Sequence, residues 1–111
     1  MENLGKYDKF QGDRLGRFLR KMADTPEGNC SMLDNTIVYY GTSNSKTHVN
    51  RNYPLLVAGG SNLGIKHCGY HNFPKTGKQP LCNLYLTFLQ SLGVPAQSFS
   101  DSTGTIKEIL A

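Results

Sequence analysis

Three histidines, three cysteines and one glycine-rich turn are the residues whose types could do chemistry in this sequence. His67 and His71 stand four apart, a spacing that would put two imidazoles on one face of a helix. Gly64, Gly69 and Pro74 oppose a helix there, and no carboxylate stands near them in sequence, so ordinary polar surface is the preferred reading for both. His48 lies in the polar segment SNSKTHVNRNYP, beside Asn44, Asn50 and Asn52, whose amides could orient an imidazole or a water. On local sequence alone it reads as a solvent-exposed loop residue. Cys30, Cys68 and Cys82 are odd in number and contain no C-x-x-C pair, so they signal neither a disulfide framework nor a zinc ribbon, and buried free thiols are expected. The run Gly59-Gly60-Ser61-Asn62-Leu63-Gly64 has the glycine spacing of a phosphate loop. It continues Ile65-Lys66 where that motif requires Lys followed by Ser or Thr, which leaves a tight turn as the expectation. No G-x-S-x-G elbow occurs, so hydrolysis by an activated serine has no support.

The elements that must position these residues are legible in the hydrophobic pattern. Leu4, Tyr7, Leu15, Phe18, Leu19 and Met22 recur at helical spacing and predict an amphipathic helix over residues 2–23. Gly5, Gly12 and Gly16 weaken it by up to about 1 kcal/mol each relative to alanine, so this helix is expected to depend on docking against something larger. Pro26-Glu27-Gly28 reads as a turn. The continuous apolar runs Ile37-Val38-Tyr39-Tyr40 and Leu55-Leu56-Val57-Ala58 each stop at glycine, and they read as strands covered on both faces of an α/β sheet. Residues 65–72 suggest a short edge strand. Pro80, the stripe Leu81, Leu84, Tyr85, Phe88, Leu89 and Leu92, and the stop at Gly93 and Pro95 predict a helix that packs on the sheet. Residues 98–111 are expected to form a weakly ordered tail.

Length and composition set limits on what such a chain could do. At 111 residues it is expected to form one domain rather than two. Its 38% hydrophobic content is thin for a self-sufficient core, since a domain of this size buries only about two-thirds of its unfolded surface. Net charge is +4, but residues 1–24 hold six basic and four acidic side chains and the rest of the chain holds the same numbers. No segment concentrates the charge, so a nucleic-acid footprint is not the expected reading. The alternative is a small basic module that binds an anionic partner through Arg14, Arg17, Lys21 and the stretch from Lys66 to Lys78. The start MENLGKYDKF has no apolar core of an export signal, and no apolar run is long enough to span a membrane.

The ordered strings LDNTIVYYG, HVNRNYPLLVAGG, PLCNLYLTFLQSLGV and SFSDSTG resemble the C-terminal end of the bacterial family known as domain of unknown function 1552. The likeness covers essentially the whole chain. That family resembles the alkaline-phosphatase-like superfamily, which implies a partial domain over 1–111, taken from a three-layer α/β/α sandwich. The order would be a helix, two buried strands, a short edge strand and a packing helix. Full-length relatives resemble exported proteins whose active superfamily members bind two divalent metals. The resemblance places His48 at a metal-ligand position, a few residues ahead of a Pro-initiated strand. It also implies a departure, because Gly41-Thr42-Ser43 stands where active relatives carry an Asp-His pair. A catalytic metal needs three or more protein ligands, so this chain alone is expected to lack catalysis and to hold no cofactor. The expected partner is a missing N-terminal portion or a second copy of the chain. Weaker still is a metal-dependent hydrolase remnant built on His48.

Overall fold

The computed structural model describes residues 2–44, 54–67, 69–73 and 79–111, which form two α-helices and two small antiparallel sheets. His48, Cys68, Lys75 and Lys78 lie outside the described residues. Helix α1 spans Glu2–Asp24 and is amphipathic, as its spacing predicts. It ends where the Thr25 hydroxyl donates to the Lys21 carbonyl oxygen at 2.6 Å, just ahead of Pro26. Met22 is buried and Leu15 and Leu19 are half-buried, whereas Leu4, Tyr7, Phe10 and Phe18 are exposed. Among the described residues it packs against β2 (Cys30–Ser31). Local pairs support the exposed side of the helix: Lys9 Nζ to Asp13 Oδ2 at 2.8 Å, and the Arg14 guanidinium 4.9 Å from the Phe10 ring centroid. Such exposed pairs contribute only tenths of a kcal/mol to about 1.

Strand β1 (Pro26–Glu27) pairs with β2 across the two-residue turn Gly28-Asn29. Gly28, at φ 64, takes the first turn position, where the tight hairpin that suits twisted strands calls for glycine. Strands β3 (Ile37–Gly41) and β4 (Leu55–Gly59) form the second sheet, with Tyr39 opposite Val57 and Tyr40 opposite Leu56. Both predicted strands form, but they are not covered on both faces. Ile37, Val38, Val57 and Ala58 are half-buried, while Tyr39, Tyr40, Leu55 and Leu56 are exposed. Among the described residues the ladder has no third strand, and α2 (Leu81–Ser91) meets the sheet through Tyr39, which packs against Tyr85 and Phe88.

Helix α2 stops at Gly93, whose φ of 79 lets its N–H reach the Gln90 carbonyl oxygen while Val94 N–H reaches that of Leu89. Of the predicted stripe Leu84 is buried, and three residues outside it are buried more deeply: Leu86 and Thr87, at 2% and 1% exposed, with Asn83. The cause is the C-terminal segment, which is not a weakly ordered tail. Asn83 Oδ1 accepts from the N–H groups of Thr103 and Gly104, at 2.7 and 3.3 Å, and Asn83 Nδ2 donates to Thr103 Oγ1 at 3.1 Å. Ile106, itself buried, donates its N–H to Thr87 Oγ1 at 2.9 Å. Polar residues that look solvent-facing in the sequence thus find backbone partners inside.

The described residues of the stretch 65–72 form no edge strand. Ile65 makes a single bridge to Leu110, flanked by Lys66 N–H to the Ile109 carbonyl oxygen at 2.8 Å and Ala111 N–H to that of Gly64 at 2.9 Å. The cysteines also differ from expectation, since Cys30 and Cys82 are free but only half-buried. Mixed helix and strand content places the chain in the α/β class in its broad sense.

Candidate functional site

The densest polar arrangement joins the turn before β3 to the turn after β4. Asp34 Oδ2 accepts from Ser31 N–H at 2.8 Å and from the Ser31 hydroxyl at 2.7 Å, and Oδ1 accepts from the Ser61 hydroxyl at 2.6 Å. Backbone bonds run alongside: Gly60 N–H to the Leu33 carbonyl oxygen at 2.9 Å and Asn62 N–H to that of Asp34 at 3.0 Å. Asn62 Nδ2 donates to Asn35 Oδ1 at 2.8 Å, and Asn35 Nδ2 donates to Glu27 Oε2 at 2.6 Å. One lattice therefore ties β1, the 31–35 turn and the 60–64 turn together.

The glycines of GGSNLG serve this junction. Gly59, Gly60 and Gly64 all sit at positive φ, between 74 and 79, around a short 3-10 turn at Ser61–Leu63. A tight turn stands in place of a phosphate loop, as its sequence predicts. His67 Nε2 lies 2.7 Å from the Gly59 carbonyl oxygen. A carbonyl only accepts, so this nitrogen carries the proton and donates.

The hydrogen bonds from Ser61 and Ser31 hold the Asp34 carboxyl down from 3.8 to about 2. A carboxylate held that low is a weak base at neutral pH and cannot draw the proton from either serine, so the Ser–Asp contacts fasten the turns and activate no nucleophile. The carboxyl is more acidic folded than unfolded, so its stabilising effect is complete above about pH 4 and fades as pH falls through about 2. We expect Asp34→Asn to be less stable than the parent at neutral pH, with the gap closing between pH 4 and 2. Denaturant titrations of both proteins along that range check this. A gap that persists undiminished at pH 2 refutes it.

For metal chemistry the described residues offer little. No group of three or more His, Cys, Asp or Glu side chains that could hold an ion occurs among them. His67 is committed to Gly59, and His71 is exposed and lies against Gly69. His48 lies outside the described residues, and Gly41-Thr42-Ser43 supplies no ligand from the end of β3. These residues do not fit a two-metal centre. The proposed anion-binding cations are interleaved with acids: Arg17, Arg20 and Lys21 rim an open groove on α1 together with Asp13 and Asp24, and Lys66 is exposed apart from them. No helix of the described residues is long and apolar enough to cross a membrane.

The Asp34 lattice escapes sequence reasoning because its members stand 27 residues apart at Asp34–Ser61 and at Asn35–Asn62. The only available signal is that two turn-type clusters, LDN and GGSN, flank two apolar runs that can pair. No family model matches the chain, and neither a curated protein nor a solved structure matches it.

Proposed function

We propose that this chain is a structural portion of a larger α/β fold, of the alkaline-phosphatase-like kind that its motifs resemble, and that it carries no catalysis by itself. One observation carries the reading. The β3–β4 sheet is apolar on both faces and large side chains stay exposed on each: Tyr39 and Leu55 at 36% on the face that meets α2, Tyr40 and Leu56 at 42% and 44% on the other. A sheet meant to face water on one side alternates apolar with polar residues, whereas Val38, Tyr40, Leu56 and Ala58 suit the middle layer of three. The open face of α1 supports the same reading, since a glycine-bearing helix with exposed Leu4, Tyr7 and Phe18 gains its stability from a surface it packs on. In the completed fold His48 would add one ligand to a metal centre whose other ligands come from elsewhere.

The isolated chain should bind a hydrophobic dye and unfold at low denaturant, as a molecule with uncovered apolar layers does. A dye-silent monomer that unfolds cooperatively with a stability of about 5 kcal/mol or more would count decisively against the proposal. For the metal, elemental analysis of the chain and of His48→Ala should give the same trace content. Stoichiometric metal lost in the variant would overturn the absence of catalysis and favour the hydrolase remnant.

A further inference from the structure

Of the nine asparagines in the sequence, only Asn29 begins an Asn-x-Ser/Thr triplet, Asn29-Cys30-Ser31. That triplet is the acceptor signature for an N-linked glycan, and the hydroxyl of its third residue is what an oligosaccharyltransferase reads beside the amide. The fold puts the triplet where such chemistry can reach it. Asn29 is the second residue of the turn between β1 and β2, and Pro26, Glu27, Gly28 and Asn29 are all exposed. Among the described residues nothing holds the Asn29 amide, whereas the amides of Asn35, Asn62 and Asn83 are tied into hydrogen-bonded junctions. A glycan on Asn29 Nδ2 therefore projects from the hairpin tip and displaces no packed side chain.

We propose that Asn29 is an N-glycan acceptor and that the Asp34 junction decides when it can be used. Ser31, which carries the hydroxyl of the triplet, is claimed by Asp34. Its Oγ donates to Asp34 Oδ2 at 2.7 Å, its N–H donates to the same oxygen at 2.8 Å, and the Asp34 N–H donates back to Ser31 Oγ at 3.3 Å. With the junction closed, that hydroxyl is not on offer to an enzyme. Transfer belongs to the chain before Ser31 and Ser61 fasten on Asp34, and closure ends it. The step is a substitution with no change of oxidation state. Asn29 Nδ2 bonds to the anomeric carbon of a lipid pyrophosphate-linked oligosaccharide, the bond from that carbon to the pyrophosphate oxygen breaks with its electron pair, and Nδ2 gives one proton to a base of the transferase. Once the sugar is in place Ser31 returns to Asp34, so the glycosylated chain folds as the bare one does. Neither the acceptor nor its timing depends on whether the chain belongs to a larger sheet.

The acceptor is read on the protein isolated from the cells that produce it, by mass mapping of the peptide carrying Asn29 before and after a peptide N-glycanase, which releases the glycan and leaves aspartate. Glycan at Asn29 is expected, and a bare asparagine in every molecule overturns the site. The timing is read with the purified full chain, an oligosaccharyltransferase and its lipid-linked donor. Asn29→Gln and Ser31→Ala should take up no glycan, whereas Ser31→Thr, which keeps the hydroxyl, should. Asp34→Ala should be modified roughly tenfold or more faster than the parent, as the loss of two hydrogen bonds to a carboxylate implies. Ser61→Ala loosens the same junction but leaves Ser31 on Asp34, and it should stay near the parental rate. Equal rates in the parent and Asp34→Ala, or the same acceleration in Ser61→Ala, overturn the control by Asp34, and no uptake by any of these chains overturns the acceptor as well.

Discussion

Gly59→Ala should unfold the chain under conditions where the parent is folded. Gly59 ends β4 at φ 74, where it pairs with Ile37, and a Cβ there would overlap the Thr36 carbonyl oxygen and come within 2.6 Å of that of Leu33. The two obstacles are backbone atoms, which cannot swing aside as a side chain does. Left-handed backbone costs an alanine about 1 kcal/mol, and relieving the overlap adds roughly 1–3 kcal/mol more. Moving the strand also disturbs Gly60 N–H to Leu33 and the His67 contact to the Gly59 carbonyl, so the loss spreads along the junction. The expected cost of about 2–4 kcal/mol is a large share of the stability of any small domain. Gly64→Ala is the control: φ is 79 there too, but nothing stands within 4 Å of its Cβ, so only the backbone term applies. Comparing their denaturant midpoints settles the matter. Equal losses at both glycines would show that crowding by Leu33 and Thr36 plays no part.

Asn83→Ala is expected to release the C-terminal segment from α2. The side chain is 2% exposed and makes four hydrogen bonds: two from Nδ2, to Gln79 Oε1 and Thr103 Oγ1, and two to Oδ1, from the N–H groups of Thr103 and Gly104. Alanine removes the acceptor of those two N–H groups, and because Thr103 and Gly104 are exposed, water replaces it, so each lost bond costs only the net contribution of about 0.5–1.5 kcal/mol. With these bonds gone, the segment is free to leave α2. The measurement is hydrogen exchange: amides of Thr103, Gly104 and Ile106 should lose protection in the variant while those of β3 and β4 keep theirs. Unchanged protection at Ile106 would mean that the Thr87 contact alone holds the segment.

How far the sequence reveals these features depends on the range of the interactions. Local signals carry through: helical spacing locates α1 and α2, Gly28 and Gly93 mark a turn and a helix stop, and the two apolar runs become β3 and β4. What fails is tertiary. The apolar stripe of α2 predicts its buried face, yet Asn83 and Thr87 are buried more deeply because backbone from residues 103–106 reaches them, and nothing in the helix pattern announces a partner some twenty residues on. Continuous apolar strands predict full cover on both faces, and the described residues supply it only in part on each, leaving Tyr39, Tyr40, Leu55 and Leu56 exposed. The candidate site was the least legible part. Asp34 acquires its role only when Ser61 is brought back to it by the β3–β4 pairing.

The bridge between Ile65 and Leu110 turns the second half of the chain into a closed loop. Joining two points some 45 residues apart costs about 3 kcal/mol of loop-closure entropy, against one bridge and two flanking hydrogen bonds. The Asn83 and Thr87 contacts divide that large ring into shorter ones and so lower the cost of closing it. In kinetic terms the ring forms late in folding and opens early in unfolding, once the helix inside it has docked or let go. A protease should therefore find its first cut in the native chain within residues 99–111, at a rate set by how often this ring comes undone.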